Sequence, residues 1–172
     1  MSKAFTRESD DAPDLPAPRA LSSLPAGAKN YVTPGGLQRM RDELDQLVSV
    51  ERPRLAALPD ENERQQQIRA LDQRVQQLQQ SLLSAVAVPP PALPWDQVRF
   101  GATVTVRNRR GEESRYRIVG VDETDLDRDW VSWVSPIAKA LLNARVGGRV
   151  RFKFPSGEEE LEIVRLEYEE GG

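Results

Sequence analysis

The 172-residue chain contains no cysteine and no histidine. Without thiols there is no disulfide framework and no thiolate zinc site. Without imidazoles there is no histidine general base and no imidazole metal triad, which removes most familiar hydrolase and metalloenzyme mechanisms. Any metal has to be a hard cation held by carboxylates. No apolar run approaches a membrane span, and the N-terminus lacks the apolar stretch of a secretory signal, so no membrane partner is expected and the cytoplasm is the default location. Basic charge is not in excess either. Its 24 Lys and Arg stand against 27 Asp and Glu, a net charge of −3 that argues against coating nucleic acid unaided. The length suits one ordinary domain or two small ones.

What is present falls into four stretches. Residues 1–29, rich in Pro, Ala, Ser and charge, hold few large apolar side chains and read as a disordered tail. Residues 30–88 carry two helix-patterned arms. In the second, Ile68, Leu71, Val75, Leu78, Leu82 and Ala85 repeat at three- and four-residue steps, the seam of a coiled coil. The first arm answers with Leu37, Met40, Leu44, Leu47, Val48, Leu55 and Leu58. Thr33-Pro34 is a start signal, a hydroxyl cap followed by proline at the first helical position, and Pro53 is expected to kink or divide the arm. The turn Leu58-Pro59-Asp60-Glu61-Asn62 folds the arms into an antiparallel hairpin, each arm about 37 Å long for about 25 residues. A Pro-rich linker over residues 89–94 follows. Residues 95–170 change period. Strands are expected around Val104, around Ile118, at Trp130–Trp133, at Val150–Phe154 and at Glu160–Tyr168, with a helix opened by Ser135-Pro136. The fold class is therefore α+β in two domains, a helical hairpin and a mostly antiparallel sheet with one helix. No internal repeat is visible.

Three features bear on chemistry. Asp60, Glu61 and Glu63 cluster at the turn of the hairpin, where carboxylates can hold Mg²⁺. They serve equally as helix-start residues, with Asp60 as cap and Glu63 reaching back in a capping box. The second arm is rich in glutamine, which suits a solvated face better than an RNA-binding one. Trp130 and Trp133 alternate near the Ser135 helix and read as core, with an exposed docking patch as the other possibility. The acidic run Asp122, Glu123, Asp125, Asp127 and Asp129 reads as a solvated turn able to meet a basic partner.

These residues together resemble the Gre family of bacterial transcript cleavage factors, closest to its GreB branch. Phe100-Gly101-Ala102-Thr103-Val104 resembles the family's FGA-x-V strand, and Tyr116-Arg117-Ile118-Val119-Gly120 with Asp122-Glu123 its RIVG-x-DE stretch. Ser135-Pro136-Ile137-Ala138-Lys139-Ala140-Leu141-Leu142 is similar to its SP-x-A-[RK]-x-L helix, and Tyr31-Val32-Thr33-Pro34, Glu51-Arg52-Pro53 and Ile68–Val75 are similar to its hairpin. The resemblance implies a coiled-coil hairpin joined to an FKBP-like domain, and a monomer whose partner is bacterial RNA polymerase. It implies docking through Asp122, Glu123, Ser135, Pro136, Ile137, Ala138 and Lys139, with the hairpin entering the secondary channel near nascent RNA. In cleaving members an Asp and a Glu at the tip help hold the polymerase's second Mg²⁺, so Asp60 and Glu61 are the candidate pair and no cofactor belongs to the protein alone.

The tip departs from the family pattern G-D-x-x-E-N-A-[DE]-Y. Only Glu61-Asn62 lies on the E-N pair, Leu58 stands where the aspartate is expected, and the glycine and tyrosine are absent. The hairpin is about a dozen residues short, which at roughly 1.5 Å per residue removes about 9–10 Å of reach. Val134 replaces a polar residue before Ser135-Pro136. The expectation is a polymerase-binding regulator that is not itself an enzyme, with weak or no cleavage stimulation. A true cleavage factor using Asp60 and Glu61, and a general FKBP-like binding module, are the alternatives.

Overall fold

A computed structural model describes residues 24–169. Most of the predicted tail, and residue 170 at the end of the predicted C-terminal unit, lie outside them. The chain enters the hairpin through a short strand, β1 (Asn30–Val32), and Thr33 then caps α1 (Pro34–Gln46), its hydroxyl accepting from the Gly36 N–H at 3.0 Å. Pro34 occupies the first turn, where an N–H would have no intrahelical partner anyway.

The first arm does not break at Pro53. Leu47–Glu51 instead form a π-helical turn, in which the Arg52 N–H donates to Leu47 O, five residues back, and α2 (Arg52–Ala56) follows. A wider turn inserts an extra residue into the ladder just before the proline that cannot donate to it. It also rotates the seam. Val48, assigned to the stripe from its spacing, stands 45% exposed, whereas Leu55 is buried.

After the Leu58-Pro59 turn, Asp60 caps α3 (Glu61–Ser84), its Oδ1 accepting from the Glu63 N–H at 2.8 Å. Only this half of the predicted capping box forms. Two apolar clusters zip the arms. Leu55, Leu71 and Val75 pack nearer the tip, and Val32, Met40 and Leu78 nearer the base. Each fully buried aliphatic side chain stabilises by about 1.5–3 kcal/mol relative to exposure. The outer ion pairs Arg52–Asp72 (2.6 Å) and Arg74–Glu43 (2.7 Å) are half-exposed and contribute about 0–1 kcal/mol each. Ala85, expected as the last seam position, leaves the helix and opens β2 (Ala85–Ala87), which lies parallel to β1. The Val88 N–H donates to Val32 O at 2.9 Å, so the two ends of the hairpin unit sit side by side.

The C-terminal unit is a five-stranded sheet of β3 (Ala102–Arg107), β4 (Glu113–Val119), β5 (Trp130–Ser132), β6 (Arg149–Phe154) and β7 (Gly157–Tyr168), ordered β5-β4-β3-β7-β6. Pairing is antiparallel except at β4–β5, which is parallel. The crossover between those two carries two 3₁₀ turns, Val121–Glu123 and Leu126–Arg128, and brings β5 alongside Arg117–Val119, the last three residues of β4, in the same direction. The sheet is thus mixed, where sequence pattern showed only alternating runs. A short helix, α4 (Pro136–Leu141), covers it, sending Ala138 and Leu141 fully inward beside Val98, Val104, Val106, Ile118 and Ile163.

Candidate functional site

The tip is the first place to look for chemistry. Asp60, Glu61 and Glu63 are all exposed. Asp60 is committed to the start of α3, and Glu61 Oε1 accepts from the Gln65 amide at 3.3 Å. Among the described residues no three or more acidic side chains converge as metal ligands. Asp60 is the start residue of α3, the helix-cap reading of that side chain. The Arg64 guanidinium donates to Leu58 O at 2.8 Å and folds back over the turn.

The second place is the base of the hairpin, where the acidic run meets it. Glu123 is not in a solvated turn. Its side chain is 2% exposed. Its Oε2 accepts from the Thr33 N–H at 3.0 Å and the Gly120 N–H at 2.8 Å, while Oε1 accepts from the Thr33 hydroxyl and, at 3.4 Å, from Arg39. Several donors converging on one buried carboxylate offset its desolvation, which unpaired would be prohibitive. Two glycines make room for it. A methyl on Gly36 would overlap the carboxylate, 2.8 Å from Cγ, and one on Gly120 would press into Tyr31 O and to 2.9 Å from Oε2. Asp122 next door is exposed, and it accepts from the Asn30 amide at 3.3 Å, which also donates to Ser84 Oγ at 3.1 Å. Beside them Arg74 is held more firmly protonated than an ordinary arginine, chiefly by its hydrogen bond to Glu43, with Glu43 and Asp122 adding attraction against partial burial.

The tryptophans part company. Trp133 packs on the sheet core and meets the Tyr31 ring edge-on at 5.2 Å between centroids. Trp130 is half-buried beneath the guanidiniums of Arg117 (4.6 Å), Arg39 (5.0 Å) and Arg128 (5.2 Å). It is a cation-covered ring rather than core, because Arg117 and Arg128 flank it and Arg39 reaches over from α1.

The remaining predicted docking residues divide by depth. Pro136 and Lys139 are exposed, Ser135 and Ile137 half-buried, and Ala138 fully buried. Ser135 caps α4 through the Ala138 N–H at 3.3 Å. Lys139, Pro136 and Asp122 therefore offer side chains to a partner, whereas Glu123 and Ala138 face inward. Sequence reasoning missed Thr33, Gly36, Arg39 and Gly120 as members of one cluster. Thr33 carried a local signal as a cap and Gly36 as one of a helical glycine pair, but neither pointed some 90 residues along the chain.

The family model described as "Transcription elongation factor, GreA/GreB, C-term" matches residues 93–168. Transcription elongation factor GreB of Neisseria meningitidis is 40% identical over 154 residues, covering 81% of this chain and 94% of that protein. The GreB of Pseudomonas aeruginosa is 37% identical over 150 residues, covering 80% and 89%. A GreA of Alkalilimnicola ehrlichii is 36% identical over 156 residues, covering 82% and 99%. Because 81% of 172 residues is about 139, some fifteen of the 154 positions aligned with the Neisseria protein have no counterpart in this chain. With likeness of this extent along most of its length, the chain belongs to the GreA/GreB family of transcription elongation factors.

Proposed function

We propose that the protein binds bacterial RNA polymerase and regulates elongation by inserting its helical hairpin into the secondary channel, with weak or no stimulation of transcript cleavage. Family membership supports the partner, and we read the protein as a cytoplasmic monomer that is not itself an enzyme. The observation that carries the second half is the tip. Asp60 spends its carboxylate on the Glu63 N–H, and Leu58 holds the position where the resemblance places the aspartate of cleaving members. A tip about 9–10 Å short cannot place a carboxylate on a metal, since ligand bonds span only about 2.0–2.1 Å for Mg²⁺. The glutamine-covered outer face of α3 is exposed, and it offers nascent RNA at most an indirect, weakly charged contact.

The test is transcript cleavage on a backtracked elongation complex with the cognate polymerase. Wild type, an Asp60→Ala/Glu61→Ala double variant and a cleaving Gre factor as competitor run side by side. No cleavage, with dose-dependent block of the competitor, is the expected result. Cleavage that depends on Asp60 and Glu61 establishes instead a working factor with a short hairpin. Absence of both effects overturns the partner.

A further inference from the structure

Among the described residues, every hydrogen bond between residues 30–88 and the C-terminal sheet unit ends on Asp122 or Glu123. Three of the four end on Glu123. We infer that Glu123 is the positioning residue that sets the angle of the hairpin against the C-terminal unit. It acts through Thr33 and Gly120. The geometry is built for that task. One carboxylate oxygen bridges the N–H groups of Thr33, at the mouth of α1, and Gly120, at the end of β4. Besides the Asn30–Asp122 hydrogen bond, the rest of the junction is the Arg39 guanidinium over the Trp130 ring at 5.0 Å and the Tyr31 ring against Trp133 and, at 6.1 Å, Phe100, face and edge contacts that tolerate sliding. Direction comes from the hydrogen bonds.

The long helix converts a small change at this junction into a large one at the tip. The 24 residues of α3 span about 36 Å, so a tilt of about 10° at the base moves the tip by about 6 Å. That displacement exceeds the tolerance of any side-chain contact inside a channel. The inference rests on the proposed function only for what the hairpin is aimed at. The angle itself is a property of the free protein.

The absence of native cysteine makes the measurement direct. Spin labels are placed on exposed positions near the tip and on the β3–β4 turn (Gln66→Cys, Arg110→Cys), and their separation is read by pulsed electron resonance in the full chain. The parent should give one narrow distance distribution. Glu123→Ala, and Glu123→Asp whose shorter arm cannot reach both N–H groups, should broaden it and shift its centre by on the order of 5 Å, at unchanged helix content. Glu123→Gln keeps the length and one oxygen for the two N–H donors, and it should stay close to the parent. If Glu123→Ala fails to fold, the Asp and Gln variants decide. A folded Ala or Asp variant with the parent's narrow distribution overturns the inference, as does broadening in the Gln variant equal to that in the Asp variant. Failure of the wild-type protein to bind polymerase would sink the proposed function and leave this result untouched.

Discussion

Replacing Gly36 by alanine sets two effects of opposite sign against each other. In an ordinary helix the change stabilises by up to about 1 kcal/mol, because glycine gives up more backbone freedom on folding. Here the added methyl falls on the Glu123 carboxylate, which lies against buried backbone and cannot swing aside without abandoning Thr33 and Gly120. Separating a buried charge from its partners costs about 3–5 kcal/mol, so the net expectation is a loss of about 2–4 kcal/mol. Gly35→Ala is the matched control. Its methyl would meet only the flexible end of Arg39, at 3.3 Å, and the propensity gain should survive. Urea unfolding followed by tryptophan fluorescence reads both. With a slope near 2 kcal/mol per molar, Gly36→Ala should lower the midpoint by about 1–2 M while Gly35→Ala holds or raises it. A Gly36→Ala midpoint at or above wild type would refute the reasoning, because it would mean the carboxylate is free to move.

Asp60→Ala should destabilise the protein by about 0.5–2 kcal/mol through loss of the α3 cap, while Asp60→Asn should cost a few tenths, and the two urea midpoints check it. Leu78→Ala at the hairpin seam should cost about 2–5 kcal/mol, against less than about 0.5 kcal/mol for Leu83→Ala, whose side chain is 89% exposed, by the same measurement. Burial holds the Tyr168 phenol above the ordinary tyrosine range, against the Arg99 N–H that it accepts; it also donates to Gln97 O. The folded state therefore keeps that proton longer than the unfolded state does. Its contribution is complete below about pH 10, the unfolded value, and is lost as pH rises through the folded one. Unfolding midpoints at pH 7 and pH 11 should differ less in Tyr168→Phe than in wild type.

How far the fold could be read depended on distance along the chain. Thr33-Pro34, Asp60 and Ser135-Pro136 announce helix starts because a cap and its N–H lie within three residues of each other, and all three stand in the structure. The two seams were legible for the same reason. β1 and β2 were not, since three residues make too short a run to show a period and their pairing joins residues 55 apart. The parallel pairing of β5 is likewise set by where two 3₁₀ turns deliver the chain. Of the site, the capping role of Asp60 was visible in sequence, whereas Glu123 looked like one acid among five. Its burial depends on two glycines, one 87 residues upstream and one three residues before it, each meaningless alone. The resemblance had placed Asp122 and Glu123 together as docking residues, and the structure separates them into one exposed and one interior side chain.

The parallel arrangement of β1 and β2 has a mechanical consequence. The tail joins the N-terminal end of β1 and the linker leaves the C-terminal end of β2. Tension between the tail and the sheet unit therefore pulls the two strands along their length in opposite senses. The hydrogen bonds across Asn30–Ala85, Tyr31–Val86 and Val32–Ala87 then bear the load together rather than parting one at a time, as they would if peeled from one end. A pull on the tail is resisted as shear at the root of the hairpin before it reaches the apolar seam between the helices.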